Sequence, residues 1–210
     1  MILYDYFRSS AAYRVRIALN LKNIAHERVE IHLLEGAQRS DAYLAQNRQG
    51  LVPALDIGGG KVLTQSLAII EWLDAVYPEP RLIPADPLSR ARAMAMAQVI
   101  AADIHPLNNL RVLQQLKRLG VDEPARDDWY RHWVAEGFAA LEAMAGADEN
   151  PGPFLGGDAP GIADVLLVPQ MFNARRFNLP LEGYPRLVAA DAAANELEPF
   201  AAASPDRSRP

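Results

Sequence analysis

The stretch ILYDYFRSSAAYRVRIAL, residues 2–19, decides the fold. Its first part, residues 2–7, is rich in β-branched and aromatic residues and is short enough to be a buried strand. After Ser9 and Ser10, which can cap a helix, apolar residues recur at helical spacing as far as Lys22. The stretch therefore predicts a strand followed by an amphipathic helix.

The residues that follow extend this unit. Apolar and polar residues alternate over 28–33, which predicts a second strand, parallel to the first because a helix connects the two. Two short strands are predicted at 51–57 and 61–64, joined by three glycines, and Ser66 then begins an apolar helix. The order strand, helix, strand, loop, strand, strand, helix is that of a thioredoxin-like domain.

A cluster of four prolines between residues 78 and 87 predicts a linker. Beyond it the chain is rich in alanine and leucine with helical periodicity, so the fold class is α/β followed by an all-helical bundle. Breaks in the helical pattern fall near 120–124, 150–153 and 180–185. The predicted domains are a thioredoxin-like domain at 1–80, a linker at 81–88, an all-helical domain at 89–203 and a frayed tail at 204–210.

Composition excludes several classes of function. The net charge of -5 provides no broad basic surface, so nucleic acid is not expected as a partner. The absence of cysteine excludes disulfides and a protein thiol nucleophile, and the four histidines have no metal-ligand spacing. Since there is neither a leader sequence nor a run of 18 apolar residues, we expect no membrane segment and a cytoplasmic location.

Residues 7–19 resemble the signature of the zeta class of glutathione transferases, in which two serines, a variable pair and an Arg-x-Arg-Ile-Ala-Leu run open the first helix. The resemblance covers nearly the whole chain and implies the glutathione transferase fold, glutathione as cofactor and a homodimer. It assigns catalysis to Ser9, assisted by Ser10. A hydroxyl and free N–H groups at a helix N-terminus stabilise an anion such as a thiolate. On local grounds alone, a capping role is the favoured interpretation of both serines, and the match over the surrounding residues overturns it.

Further motifs follow in the order found in the family. Val52-Pro53 lies where thioredoxin-like proteins keep a cis proline, and the pair Gln65-Ser66 binds the γ-glutamyl end of glutathione in the family. Taken singly, these would be a turn signal and a cap. The resemblance implies a cofactor-binding set of Ser9, Ser10, Gln38, Val52, Pro53, Gln65, Ser66, His105, Asn109, Leu110 and Arg111.

Two segments of the helical domain resemble parts of the family that line the active site. The first, residues 103–113, is expected within one helix that Pro106 kinks, although His105 alone could equally be an ordinary hydrogen-bonded histidine. The second, residues 173–177, contains an arginine pair, Arg175 and Arg176, of which the second reaches the active site in the family. On local grounds such a pair is usually a solvated surface feature. Guanidinium groups bind carboxylates bidentately, so the expected ligands of a dicarboxylate substrate are Arg8, Arg111 and Arg176.

A third segment, residues 156–164, resembles a folding element of the transferase fold. Gly161 stands where a serine or threonine usually caps the helix, and Asp164 is expected to bond back to the start of that helix. Its expected role is structural.

The family includes maleylacetoacetate and maleylpyruvate isomerases, so the implied activity is glutathione-dependent cis–trans isomerisation of a maleyl keto acid in aromatic degradation. Ala11 replaces the cysteine that many members have, which assigns all sulfur chemistry to glutathione. One alternative is a general glutathione transferase acting on electrophiles or halogenated acids. Another is a non-enzymatic interaction protein, which should have lost the serine, Val-Pro and Gln-Ser motifs that this chain retains.

Overall fold

The computed structural model describes residues 1–147 and 152–209. These form two compact units, one made of Met1–Leu82 together with the segment from Glu196 onward, the other of Ile83–Asn195. The predicted break at 150–153 begins with two residues that lie outside the described ones. No helix in the described ranges is long and apolar enough to cross a membrane.

The first unit contains a four-stranded sheet in the order β2-β1-β3-β4. Its strands are β1 Ile2–Asp5, β2 Glu27–Glu30, β3 Ala54–Asp56 and β4 Val62–Thr64. The pair β1 and β2 is parallel, whereas β3 runs antiparallel to both β1 and β4. The helices of this unit are α1 Ser10–Leu21, α2 Asp41–Gln46, α3 Ser66–Val76 and α9 Glu198–Ala203, with short 3-10 turns at Leu33–Glu35 and Ala37–Arg39. The predicted thioredoxin-like order of elements is confirmed.

Helix α1 is buried almost along its whole length, because α3 and α9 both pack against it. Apolar side chains of α1 such as Val15 and Ile17 are fully buried, as are Ile69 and Leu73 of α3. Burial of such side chains stabilises the fold by about 1.5–3 kcal/mol each. The apolar spacing seen in the sequence therefore corresponds to a real packing face.

A buried lysine fixes the end of α1 to the end of α3. Lys22 Nζ donates to Asp74 Oδ1 at 2.8 Å and to the carbonyls of Tyr77 at 2.6 Å and Pro80 at 2.8 Å. All its donors have acceptors, so the buried charge is compensated. Removing one partner of such a pair typically costs 3–5 kcal/mol.

The segment from Glu196 onward packs on the first unit, and this corrects two expectations. Residues 196–203 were expected in the helical domain, and 204–210 as a frayed tail. Instead α9 packs on α1, while Ser208 is buried and its Oγ donates to the Ala203 carbonyl at 3.1 Å. The tail prediction was wrong for residues 204–209 because backbone carbonyls, which no side-chain pattern reveals, make the attachment. The other predicted domain limits stay predictions.

The second unit is helical in the residues described. Its elements are α4 Pro87–Gln98, a π-helical turn Val99–Ile104, α5 Leu110–Arg118, α6 Glu123–Gly146, α7 Ile162–Arg176 and α8 Pro185–Asn195. Helix α7 forms the core, since it packs against both α4 and α8 and is buried from Ile162 to Met171. The prediction of one helix over 103–113 was wrong. The helix ends at Ile104, because Pro106 has no N–H to continue it, and a new helix begins at Leu110.

Helix α7 begins at a cap built without a hydroxyl. Asp164 Oδ2 accepts from the Gly161 N–H at 2.9 Å, as expected, and Oδ1 accepts from the Leu155 N–H at 2.8 Å. Burial raises the pKa of the Asp164 carboxyl to about 6, although these N–H donors act in the opposite direction. This carboxyl fixes the loop before α7 to the helix itself.

Candidate functional site

Ser9 is the N-cap of α1. Its Oγ accepts from the Ala12 N–H at 3.2 Å, and its own N–H donates to the Tyr6 carbonyl at 2.8 Å. The interpretation of Ser9 as a helix cap is therefore correct, but capping does not exclude a role in stabilising an anion. A hydroxyl that accepts through a lone pair still has its hydrogen to donate, and Ser9 is only partly buried.

The neighbours of Ser9 differ in exposure. Arg8 is exposed, so a cation lies beside the serine on the same turn. Ser10, the first residue of α1, is buried, and Ala11 is only 8% exposed. The position at which many family members have a cysteine is therefore covered in this protein.

Val52-Pro53 is a cis peptide, as expected from the resemblance. The carbonyl just before it, that of Leu51, accepts from Tyr43 Oη at 2.5 Å and from Asn47 Nδ2 at 2.8 Å. Burial raises the pKa of the Tyr43 hydroxyl to about 12, so it stays a donor at physiological pH. These two side chains fix the backbone that leads into the proline.

Gln65 and Ser66 begin α3 in an unusual conformation. Gln65 has φ of +69°, which non-glycine residues rarely adopt and which costs roughly 1–3 kcal/mol. Its Nε2 donates to Gln49 Oε1 at 3.0 Å, and Ser66 Oγ accepts from Arg14 Nη1 at 3.2 Å. Arg14 is 1% exposed, so a buried guanidinium adds positive charge to the N-terminus of α3.

Gln38 lies close to the loop that precedes Val52. A Cβ on Gly50 would come within 2.9 Å of the Gln38 carbonyl oxygen, and Gly50 also has φ of +60°, so only glycine fits there. The Gln38 Oε1 is buried and accepts no hydrogen bond from the residues described. Such an atom is a candidate acceptor for a bound ligand.

The sheet brings these motifs of the first unit to one end. Tyr4 of β1 pairs with Ala54 of β3, which pairs with Thr64 of β4. Ser9 follows β1, Val52-Pro53 precedes the antiparallel β3, and Gln65 follows β4. All three motifs therefore lie at the same end of neighbouring strands. The sequence predicted each motif separately, and the strand register supplies their proximity.

The second unit holds the other predicted residues. His105 ends the π-helical segment, and its Nε2 lies 3.5 Å from Asn109 Nδ2. Asn109 caps α5 by accepting from the Arg111 N–H at 3.1 Å, while Arg111 is exposed and Leu110 is partly buried. The turn between the helices is anchored to α6 because Trp129 Nε1 donates to the Leu107 carbonyl at 2.9 Å.

Arg176 ends α7, and an aromatic stack holds the residue that follows it. The guanidinium carbon of Arg176 lies 5.0 Å from the centre of the Phe177 ring. That ring stacks on the Tyr130 ring, with 3.7 Å between the ring centres and 7° between the ring planes. The Tyr130 carbonyl accepts from Asn108 Nδ2 at 3.2 Å. Arg175 instead pairs with Asp191, at 2.5 Å. Tyr130 thus connects Arg176, through the Phe177 ring, to Asn108 in the turn between His105 and Asn109.

A cavity of about 410 Å³ lies in the second unit, between the π-helical segment and α6. Its lining residues include Val99, Asp103, Trp133 and Glu136. None of the predicted site residues lines it. Among the residues described, no group of three or more His, Asp or Glu side chains could hold a metal ion.

Sequence reasoning missed the residues that hold the motifs in place. Tyr43 and Asn47 support the Leu51 carbonyl, and Arg14 supports Ser66. Of these three, Arg14 carried a signal, because it begins the Arg-x-Arg-Ile-Ala-Leu run that resembles the family signature. The other two act on backbone atoms, and their partners depend on the loop conformation.

Comparisons with known proteins agree with this arrangement. The family described as "Glutathione S-transferase, N-terminal domain" matches residues 3–81. A maleylpyruvate isomerase from Ralstonia sp. is 47% identical over 206 residues, covering 98% of this chain and 97% of the relative. A maleylacetoacetate isomerase from Pseudomonas aeruginosa is 47% identical and covers 89% of this chain and 87% of its own length.

Solved structures with high similarity to this chain are isomerases of the same kind. One described as the holo structure of maleylpyruvate isomerase, a bacterial glutathione S-transferase of the zeta class, has a TM-score of 0.97 and 46% identity, covering 100% of this chain and 99% of that one. A maleylacetoacetate isomerase from Methylobacterium extorquens AM1, solved with malonate and glutathione, has a TM-score of 0.95 at 38% identity, covering 99% and 98% of the two chains. With similarity this high over nearly its whole length, the chain belongs to the zeta class of the glutathione S-transferase family, together with the maleylpyruvate and maleylacetoacetate isomerases.

Proposed function

We propose that this protein is a glutathione-dependent cis–trans isomerase that converts maleylacetoacetate or maleylpyruvate to its fumaryl isomer in aromatic degradation. The observation that carries the proposal is the meeting of Ser9, Val52-Pro53 and Gln65-Ser66 at one end of the sheet. The relatives at 47% identity that match nearly the whole chain support the same reaction.

The residues of the first unit fit glutathione as the cofactor. Val52 makes no main-chain hydrogen bond with the described part of the chain, so its N–H and carbonyl suit a peptide ligand. The N-terminus of α3 at Ser66, with Arg14 behind it, suits the carboxylate of a γ-glutamyl group. Gln38 offers a buried oxygen that lacks a partner among the described residues, and it would accept from a ligand N–H.

Ser9 has the role of an anion stabiliser in this mechanism. When bound, glutathione supplies the thiolate that adds reversibly to the cis double bond and so permits rotation. Ser9 donates its hydroxyl hydrogen toward the sulfur, and the N-terminus of α1 adds its dipole. The Ala12 N–H occupies only one lone pair of the Ser9 oxygen, so the hydroxyl hydrogen is available to donate. Ser10 assists at the first position of α1.

Three arginines have the assigned role of holding the substrate carboxylates. They are Arg8 in the first unit and Arg111 and Arg176 in the second. Both Arg8 and Arg111 are exposed, and the Phe177 ring limits the positions available to Arg176. A planar guanidinium binds a carboxylate through two parallel hydrogen bonds, which suits a dicarboxylate better than a neutral electrophile. This preference favours isomerisation over general transfer.

The experiment that tests the function is an isomerisation assay with maleylacetoacetate and with maleylpyruvate, each with and without glutathione. We expect turnover of at least one acid, and only when glutathione is present. Failure on both acids would instead favour the transferase alternative. The homodimer and the cytoplasmic location expected from the sequence stay predictions.

A further inference from the structure

A buried charge cluster lies beneath the turn that carries Ser9. Asp5 is 1% exposed and Arg16 2% exposed. Arg16 Nη1 donates to both carboxylate oxygens of Asp5, at 2.8 Å and 3.0 Å, and Arg28 Nε donates to the same carboxylate at 2.9 Å. Burial lowers the pKa of the Arg16 guanidinium, while the Asp5 charge opposes this change. The cluster has no place in the chemistry proposed above.

Arg16 uses its remaining donors on two backbone carbonyls. Its Nη2 donates to the Phe7 carbonyl at 3.0 Å, and its Nε donates to the Ala203 carbonyl at 2.9 Å. Phe7 lies two residues before Ser9, inside the turn that the Ser9 N–H closes on Tyr6. One guanidinium therefore joins the Ser9 turn, strand β1 and the segment beyond Glu196.

That segment, residues 196–209, receives several such bonds through its backbone. Tyr13 Oη donates to the Phe200 carbonyl at 3.4 Å, and Asn20 Nδ2 to that of Pro199 at 3.0 Å. Arg28 Nη2 donates to the Ser208 carbonyl at 3.1 Å. The segment thus supplies backbone acceptors to side chains of α1 and β2, and one of these acceptors, the Ala203 carbonyl, binds Arg16.

We propose that Arg16, held by Asp5 and by the Ala203 carbonyl, is a positioning residue that sets the orientation of Ser9. The inference rests on the proposed role of Ser9 as the hydrogen-bond donor to the glutathione thiolate. If Arg16 leaves the Phe7 carbonyl, the turn loses this side-chain contact and keeps the bonds that Ser9 makes with Tyr6, Ala12 and Tyr13 along the backbone of the turn and of α1. A displacement of a reacting group by about 1 Å can lower the reaction rate by roughly 100-fold. The loss of one hydrogen bond in the turn can therefore have a large effect on turnover.

The test compares two conservative variants of the same cluster. Arg16→Lys keeps a positive charge for Asp5 but cannot also reach Phe7 and Ala203, because an ammonium lacks the planar fork. Arg28→Lys is the matched control, since it perturbs the same carboxylate without touching the Ser9 turn. Both variants are studied below their unfolding temperatures, as the full chain.

The first readout is amide hydrogen exchange of residues 7–10 in the protein without glutathione. We expect exchange there to become roughly ten times faster in Arg16→Lys and to stay unchanged in Arg28→Lys, because Arg16 donates to the Phe7 carbonyl in the turn whereas Arg28 donates to Asp5 and Ser208. The second readout is the apparent pKa of the thiol of bound glutathione, measured from the pH dependence of thiolate absorbance. It should rise in Arg16→Lys alone, with kcat reduced roughly 10- to 100-fold.

Unchanged exchange and an unchanged thiol pKa in Arg16→Lys would overturn the inference, even if the variant is less stable. An equal effect in Arg28→Lys would also overturn it, because the cluster would then act only through general stability. Failure of the proposed Ser9 role has a different signature. The wild-type protein would then bind glutathione without lowering its thiol pKa, while the exchange result would still report on the turn.

Discussion

Ser9 is a helix cap, and we propose that it is also a hydrogen-bond donor to an anion. Capping uses a lone pair of its oxygen, and stabilising a thiolate uses its hydrogen. Sequence alone could rank these roles only by resemblance. The geometry makes them compatible, so a test must separate the loss of a cap from the loss of a donor.

The variant Ser9→Ala should lower kcat roughly 100- to 1,000-fold while leaving the KM for glutathione nearly unchanged, since it removes a donor to developing charge. The control is Ser40→Ala, because Ser40 caps α2 in the same way, with its Oγ accepting from the Tyr43 N–H at 3.3 Å. That variant should lose about 1 kcal/mol of stability and keep its activity. Steady-state kinetics and urea unfolding of both variants measure this. Wild-type turnover in Ser9→Ala would reject Ser9 as the thiolate stabiliser.

Arg176→Ala should raise the KM for the maleyl acid by more than the KM for glutathione, because a guanidinium that binds a carboxylate is lost. Arg176→Lys should recover only part of the loss, since lysine cannot form the bidentate pair. Arg118→Ala, which removes an exposed arginine of α5, is the control. Initial rates with each substrate varied in turn provide both constants. If neither constant changes, the arginine assignment is wrong.

At the scale of elements, the sequence predicted the type and order of the strands and helices better than their ends. Periodicity shows which face of α1 or α3 is buried, so both helices could be placed. The helix around 103–113 was misplaced, because helical periodicity continues on both sides of Pro106. What ends it is a local event: the missing proline N–H and the Asn109 side chain that caps a new helix.

The carboxyl of Asp164, which caps α7, should make the free energy of unfolding fall as the pH rises. The pKa of Asp164 is raised from 3.8 to about 6, so the neutral acid is favoured in the folded state. Protonation of Asp164 therefore contributes about 3 kcal/mol to the free energy of unfolding. This contribution is fully present below about pH 4 and is lost as the pH rises through 6. Urea unfolding should therefore show the stability gap between wild type and Asp164→Asn narrowing between pH 4 and 7.

Asp86 provides a control of opposite sign. It caps α4 on the surface, and hydrogen bonds from the Ser89 backbone and hydroxyl lower its pKa. Its contribution is present at neutral pH and is lost on acidification, so the gap between wild type and Asp86→Asn should widen as the pH rises. A gap that changes in the same direction for both variants would contradict the account of Asp164.

At the scale of the whole molecule, the chain returns to its first unit after the helical one. Composition located the change from α/β to helix near the prolines. However, residues 196–203 were expected in the helical domain and 204–210 as a frayed tail, whereas the segment from Glu196 onward belongs to the first unit. Those residues attach through the carbonyls of Phe200, Ala203 and Ser208. Any sequence offers such acceptors, so only the fold reveals them. The motifs at the end of the sheet where we propose that glutathione binds, by contrast, were visible because the sequence itself shows their residue types and spacing.

The central claim is isomerisation in which glutathione is returned unchanged, and the most direct test follows product and glutathione in one reaction. The maleyl acid is supplied in large excess over glutathione, and both the fumaryl isomer and free glutathione are quantified over time. We predict many molecules of fumaryl product for each molecule of glutathione, with the glutathione concentration constant throughout. Consumption of one glutathione for each substrate molecule, with a stable conjugate as product, would contradict the claim and identify a transferase.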